Sequence, residues 1–440
     1  MLILWLILSV VAIVGLTTKL KVHPFIALLL VALAYGFVAG MPSDVIITSV
    51  NEGFGKTLGS IGLLIVLGVI IGAFMESSGA AYTIADWVLS KVGRKRVPQS
   101  MGLMGYLVSI PVYADSGFLL LQPLNKSLSK KAKISLSGSA IALAMGLTAS
   151  HTMVPPTPGP IAAAGILEAD LGLVLALGIP VSLFALFFAI LFAVKYVGRT
   201  YIDPNPQISE KELATIHQAA PRLGLSALPI LVPIGLILLR SLSQALEWQG
   251  MMSECTNFLG TPFVALLIGV FLALLLPKKL NCEMLSSEGL IGKAIMSASS
   301  ILLITGAGGI FGKVLQNSGI ADLLAEVLSG VSLGIFLPFL LAAAIKSAQG
   351  SSTVALITTA SIIAPLSTTL GFVDDWQKAM LVIAIGAGSA VVSHANDSFF
   401  WVVTQMSGMD VKQGYRMHSL GTLVLGGSAI CGLFIIDMLF

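Results

Sequence analysis

Long apolar runs separated by short polar clusters fill this chain, and most are long enough to cross a bilayer as helices of about 20 residues. The pattern predicts an all-α polytopic membrane protein. Four polar interruptions fall inside apolar stretches rather than between them: Pro111 to Gly117, Ser150 to Pro160, Lys346 to Thr353, and Ser393 to Ser398. The second is the sharpest. Pro155, Pro156, Pro158 and Pro160 lack a backbone N–H and push the preceding residue out of the helical region, leaving amides and carbonyls free at membrane depth. Such backbone persists there only when buried in protein or lining a polar cavity, so these breaks predict a binding site.

The pattern also repeats in order along the chain. Pro24 to Leu29 matches Pro262 to Leu267, Gly72 to Gly79 matches Gly312 to Gly319, and Ser150-His151 matches Ser393-His394. Charge placement then orients the two copies, because loops rich in Lys and Arg face the cytoplasm. Lys19, Lys21 and Arg94 to Arg96 follow spans one and three of the first copy, whereas Glu247, Glu254, Asp322 and Glu326 follow their counterparts. Asp44 and Glu52 follow span two, and Lys278 and Lys279 follow its counterpart. The expected architecture is two inverted-topology repeats, 1–199 and 223–440, joined by a cytoplasmic linker over 200–222.

Basic clusters at Lys91 to Arg96 and Lys126 to Lys133 bracket an apolar stretch too short for two crossings of about 20 residues each. A re-entrant hairpin is expected at about 97–125. Its acidic-flanked counterpart, at about 331–371, enters from outside with its tip at Lys346 to Thr353. The expected total is five spans and one hairpin per repeat.

Composition agrees: 56% of the 440 residues are hydrophobic and 10% charged, with a net charge of +3. A soluble domain carries about a quarter charged residues. The basic residues report orientation, and no basic patch with interleaved aromatics points to nucleic acid. Met1 to Trp5 runs directly into an apolar stretch and reads as a first span rather than a cleaved leader. Cys255, Cys282 and Cys431 have no metal-ligand spacing; no disulfide framework, metal site or cofactor is expected, and the three read as packing residues.

Broken helices present N-terminal amides to anions and freed carbonyls to cations, which suits a small carboxylate, anionic or zwitterionic. Ser116, Gly117, Thr152, Thr157, Gln349, Gly350, Ser351, Ser352, Thr353 and Asn396 are the candidate substrate-binding residues. Taken singly, each serine or threonine is better read as making a helix–helix hydrogen bond, which is common in bundles. Ionisable groups at depth are costly, so Asp115, Glu76, Asp397, His151 and His394 are the candidate proton carriers. Asp115 comes first, with capping of its hairpin helix as the structural alternative; Glu76 could instead pair with Lys313. Lys346 could balance substrate charge or snorkel. An intramembrane hydrolase has little support, since no His-Glu-x-x-His is present and Gly350-Ser351-Ser352 follows no strand. A continuous channel suits an enclosed carboxyl poorly.

The segments His151-Thr-Met-Val-Pro-Pro-Thr-Pro-Gly-Pro160, Ile110-Pro-Val-Tyr-Ala-Asp-Ser-Gly117 and Ala342 to Thr353 resemble the bacterial gluconate permease family of proton symporters. The resemblance covers nearly the whole chain. It implies a cytoplasmic-membrane carrier, commonly dimeric, for gluconate, related sugar acids or D-serine, with hairpins that hold substrate between them and, by analogy, move as an elevator. Tyr113-Ala114-Asp115 departs from the bulkier aromatic-acidic pattern expected of gluconate carriers. Proton-coupled uptake of a small hydroxycarboxylate is the functional expectation, with a sodium-coupled carboxylate carrier or a D-serine/proton symporter as alternatives.

Overall fold

The structure is a computed structural model that describes residues 2–92, 96–204, 220–320, 333–394 and 397–439. Among the described residues every regular element is helical. The first half comprises α1 (Leu2–Thr18), α2 (Pro24–Val38), α3 (Ser43–Ser77), α4 (Ala80–Val92), α5 (Val97–Val108), α6 (Ala114–Lys131), α7 (Leu136–Met153), α8 (Pro158–Ile166) and α9 (Leu171–Lys195). The second comprises α10 (Leu223–Ala245), α11 (Met251–Leu259), α12 (Pro262–Ala273), α13 (Leu290–Asn317), α14 (Phe336–Gln349), α15 (Ser352–Ile363), α16 (Asp375–Ser389), α17 (Ser398–Ser407) and α18 (Leu420–Leu439). Local chemistry fixes many starts. Asp170 caps α9 by accepting from the Leu173 amide at 2.9 Å and also takes the Ser241 hydroxyl of α10 at 2.9 Å. Asp374 and Gln377 form a capping box at α16.

Two groups of helices pack side by side. In one, α3 and α13 run against each other, with α2 on α13 and α12 on α3. In the other, α5 and α9 flank α7, while α14 and α18 flank α16. The groups meet where α3 touches α8 and α13 touches α15. Close approach depends on glycine: a Cβ at Gly146 would lie 2.0 Å from the Gly102 carbonyl, and one at Gly388 would lie 2.2 Å from that of Phe339. Gly72 of α3 abuts the Pro111 carbonyl and Gly312 of α13 abuts Ser361, at 2.1 and 3.1 Å from an added Cβ.

Four helices among the described residues are long and apolar enough to cross a membrane, and six if two bent pairs each count as one span. That is fewer than the pattern predicts, for a physical reason. Nearly every side chain of α7 and every one from Val354 to Ile363 of α15 is buried against other helices, so neither needs a lipid-facing surface. These helices can therefore be short and rich in Gly, Ala, Ser and Thr. Two helix–turn–helix pairs, α5–α6 and α14–α15, cover the stretches for which re-entrant hairpins were expected, and α6 continues past residue 125 to Lys131. Its lysines complement the C-terminal end of the helix dipole. The three cysteines are exposed, which corrects the expectation that they pack in the core. Most of the linker, together with Arg94, Lys95, Asp322 and Glu326, lies outside the described residues.

Candidate functional site

Three helix N-termini converge on one cavity of about 340 Å³. Tyr113, Ala114 and Asp115 come from the start of α6, Gly350 to Thr353 from the start of α15, and Asp397, Ser398 and Phe399 from the start of α17. Thr148 and His151, one turn apart on α7, form a wall. The second hairpin turns tightly because Gly350 adopts φ 92° and Ser351 caps α15 by accepting from the Val354 amide at 3.3 Å. The first hairpin turns through Ser109 to Tyr113, and its helix has no side-chain cap.

Lys346, almost wholly buried, is the single Lys or Arg in this wall among the described residues. Its ammonium donates to Asp397 Oδ2 at 2.6 Å and to the Gly350 carbonyl. Asp397 is saturated further: Oδ2 accepts from Ser393 Oγ at 2.5 Å and Oδ1 from the Phe399 amide at 3.0 Å. Behind it, buried His418 contacts Ser393 Oγ through Nε2 at 3.0 Å, from a π-helical turn at Tyr415–Ser419. Asp115 is the contrast. Oδ2 has only a 3.4 Å contact from the Ser398 hydroxyl, and buried Oδ1 has no hydrogen-bond partner among the described residues. His151 Nδ1 and the Tyr113 hydroxyl are buried and unpartnered in the same way, their rings 6.1 Å apart. A lone anion facing open donors and three positive helix ends is the arrangement that takes up a proton or a polar ligand.

Of the residues expected from the sequence, Asp115, His151, Asp397, Gly350, Ser351, Ser352 and Thr353 line the cavity together. Others lie elsewhere. Thr152 and Thr157 donate to the Thr148 and Val154 carbonyls of their own segment, at 2.9 and 2.6 Å. Gly117 packs against Leu147, and neither it nor Ser116 is among the lining residues. His394 contacts the Ser347 carbonyl at 2.7 Å and stacks on Tyr415. Glu76 is exposed near the end of α3, and Lys313 pairs with Glu52 at 3.4 Å, which corrects the expected Glu76–Lys313 pair. Tyr113, not Asp115, occupies the N-cap of α6, so the capping alternative for Asp115 also falls. Asn396 and the Gln349 side chain lie outside what the structure describes. Sequence reasoning missed Tyr113, Thr148 and Phe399 as wall residues and did not foresee that Lys346 pairs with Asp397. Thr148 could have been found one helical turn before His151.

The long apolar helices around a polar cavity define a multi-pass membrane protein, and its family and relatives are permeases rather than enzymes. The transporter YdaH of Alcanivorax borkumensis shares the fold at a TM-score of 0.63 and 15% identity, with 95% of this chain and 99% of that one covered. The model of the GntP family permease matches residues 1–439, and the chain belongs to that family. A gluconate permease of Pseudomonas aeruginosa is 33% identical, covering 98% of this chain and 96% of its own. The D-serine transporter DsdX of Escherichia coli is also 33% identical, over 99% and 98%. An uncharacterised permease of Haemophilus influenzae reaches 36%, over 100% and 92%.

Proposed function

We propose that this permease takes up a small hydroxycarboxylate, gluconate or a related sugar acid, with a proton across the cytoplasmic membrane. The observation that carries the reading is the unpaired Asp115 carboxylate beside the closed Lys346–Asp397 pair. With Asp115 ionised, the cavity walls hold two carboxylates and one ammonium, and an entering anion meets net negative charge. Two like charges about 4 Å apart repel by about 4 kcal/mol at an effective dielectric of about 20. Protonation of Asp115 removes that repulsion, so anion and proton bind together. The three helix N-termini and Lys346 receive the carboxylate, while Thr148, Ser352 and Thr353 supply hydroxyl partners.

Alternation follows from the inverted repeat, which is part of the proposal. Contacts recur at corresponding positions in support of it: Gly146 with Gly102 and Gly388 with Phe339, α6 on α17 and α15 on α8. Matching glycines nevertheless meet unlike partners. Gly72 touches the tip of the first hairpin at Pro111, while Gly312 touches Ser361 in the last turn of α15. On the charge-based orientation, the hairpin group sits toward the cytoplasmic side of α3 and α13, and transport moves it outward along them. The dimer implied by the resemblance belongs to the same reading; a monomeric mass by light scattering in detergent would exclude it.

The test is uptake into proteoliposomes under an inward proton gradient. Gluconate accumulates and a protonophore abolishes the accumulation; accumulation that follows sodium and ignores the protonophore overturns the coupling. Asp115→Asn loses gradient-driven accumulation and retains exchange of labelled for unlabelled gluconate. One observation favours a second reading: Asp115 Oδ1, unpartnered among the described residues on the cavity wall, also suits the ammonium of a zwitterion such as D-serine. In that case Asp115→Asn abolishes binding and exchange together.

A further inference from the structure

A second polar cleft lies at the other end of α15. Its volume is about 370 Å³, close to that of the cavity at the N-terminal end, and it is walled by α3, the end of α8, α13, residues 364–368 and Lys378 of α16. Three lysines and two glutamates line it, an excess of one positive charge. Lys56 pairs with Glu168 at 2.6 Å and Lys313 with Glu52 at 3.4 Å. Lys378 has no carboxylate at ion-pair distance among the described residues and acts on Glu168 through space. Lys56 and, secondarily, Lys378 hold the Glu168 carboxyl below the usual carboxylate range, and with Lys313 paired to Glu52 one lysine is left over. The paired side chains are all at least partly exposed, so the pairs are weak and the lysines can exchange partners with an incoming anion at little cost.

We propose that this cleft is a second, low-affinity site for small carboxylates, in which Lys378 and Lys313 bind the anion before it reaches the cavity. The role as a loading site rests on the transport reading above; the site itself does not. Charge placement puts the cleft on the outer face, since it gathers the acidic-loop ends of α3, α13 and α16. The two sites lie at opposite ends of one 12-residue helix and are therefore about 18 Å apart. An excess cation in a walled cleft raises the local concentration of anions, an effect that falls with ionic strength.

Saturation-transfer NMR on the purified full chain tests the site, with acetate and gluconate as separate probes. The background variant is Lys346→Gln with Asp397→Asn, which closes the first site without stranding a buried charge. Both probes still give a signal in this background, and adding Lys378→Gln reduces it about threefold, more at low than at high salt. In proteoliposomes Lys378→Gln alone raises the half-saturating external gluconate concentration about threefold and leaves the maximal rate unchanged. A signal absent from the background variant, or indifferent to Lys378→Gln, overturns the site. If the unaltered protein transports no gluconate while acetate binding depends on Lys378, the cleft stands and the transport reading fails.

Discussion

Asp115 and Asp397 are two carboxylates in one cavity with opposite circumstances, and the difference lies in their neighbours. Asp397 caps α17 and also receives Lys346 and Ser393, whereas Asp115 has one long contact at Oδ2 and, among the described residues, no partner for its buried Oδ1. Removing one partner of a buried ion pair leaves an uncompensated charge, at a cost of about 3–5 kcal/mol. Lys346→Ala should therefore lower the thermal midpoint in detergent sharply, and adding Asp397→Asn should restore most of it without restoring substrate binding. Ser398→Ala should change transport by less than about twofold, because a 3.4 Å contact is a weak hydrogen bond. The sequence singles out both aspartates as ionisable groups at depth, but not which one is paired. That depends on Lys346, carried on a helix of the other hairpin from Asp115 and separated from Asp397 by the whole of α15 and α16.

Among the helices, glycine decides how closely neighbours pack and which contacts a movement must break. Gly388→Leu forces a side chain into the Phe339 carbonyl and should destabilise the protein by at least about 1–3 kcal/mol, read as a lower thermal midpoint. Gly72 is a different case, because it touches a hairpin tip across the boundary between the two helix groups. A Cβ there would lie 2.1 Å from the Pro111 carbonyl, so Gly72→Ala should disfavour this arrangement and favour the outward one. Thiol labelling of a cysteine placed at Thr148 tests it, with faster reaction from the outside expected and an unchanged rate counting against the movement. The stretches that form the two helix–turn–helix pairs stood out because charges of one sign flank each of them. The end of α6 did not, since lysines mark a membrane surface and a helix continues through it to Lys131.

Across the whole molecule, the Lys56–Glu168 pair ties α3 to the turn after α8. Lys56 holds the Glu168 carboxyl below its usual range, so the stabilisation is present above the unfolded-state value and is lost as pH falls through the folded one. Both side chains are more than half exposed, so screening leaves little of it, and Lys56→Gln should move the thermal midpoint by no more than about 1–2 °C. The sequence by itself determined the membrane class and the stretches where helices break, because hydrocarbon tolerates neither charge nor unpaired backbone and both signals are local. Only the tertiary structure decided which breaks face one another. Local bonding turned the Thr152 and Thr157 hydroxyls to the Thr148 and Val154 carbonyls, and the meeting of α6, α15 and α17 brought Asp115, Ser352 and Asp397 to one wall. None of the prolines of the Pro-rich stretch lines the cavity: Pro156 packs against Gly68 of α3, and the wall nearest to it belongs to His151 and Thr148. A broken span signals irregular backbone wherever it occurs, but whether that backbone lines a cavity or is sealed in protein depends on residues far away in the chain, packed against it only once the helices assemble.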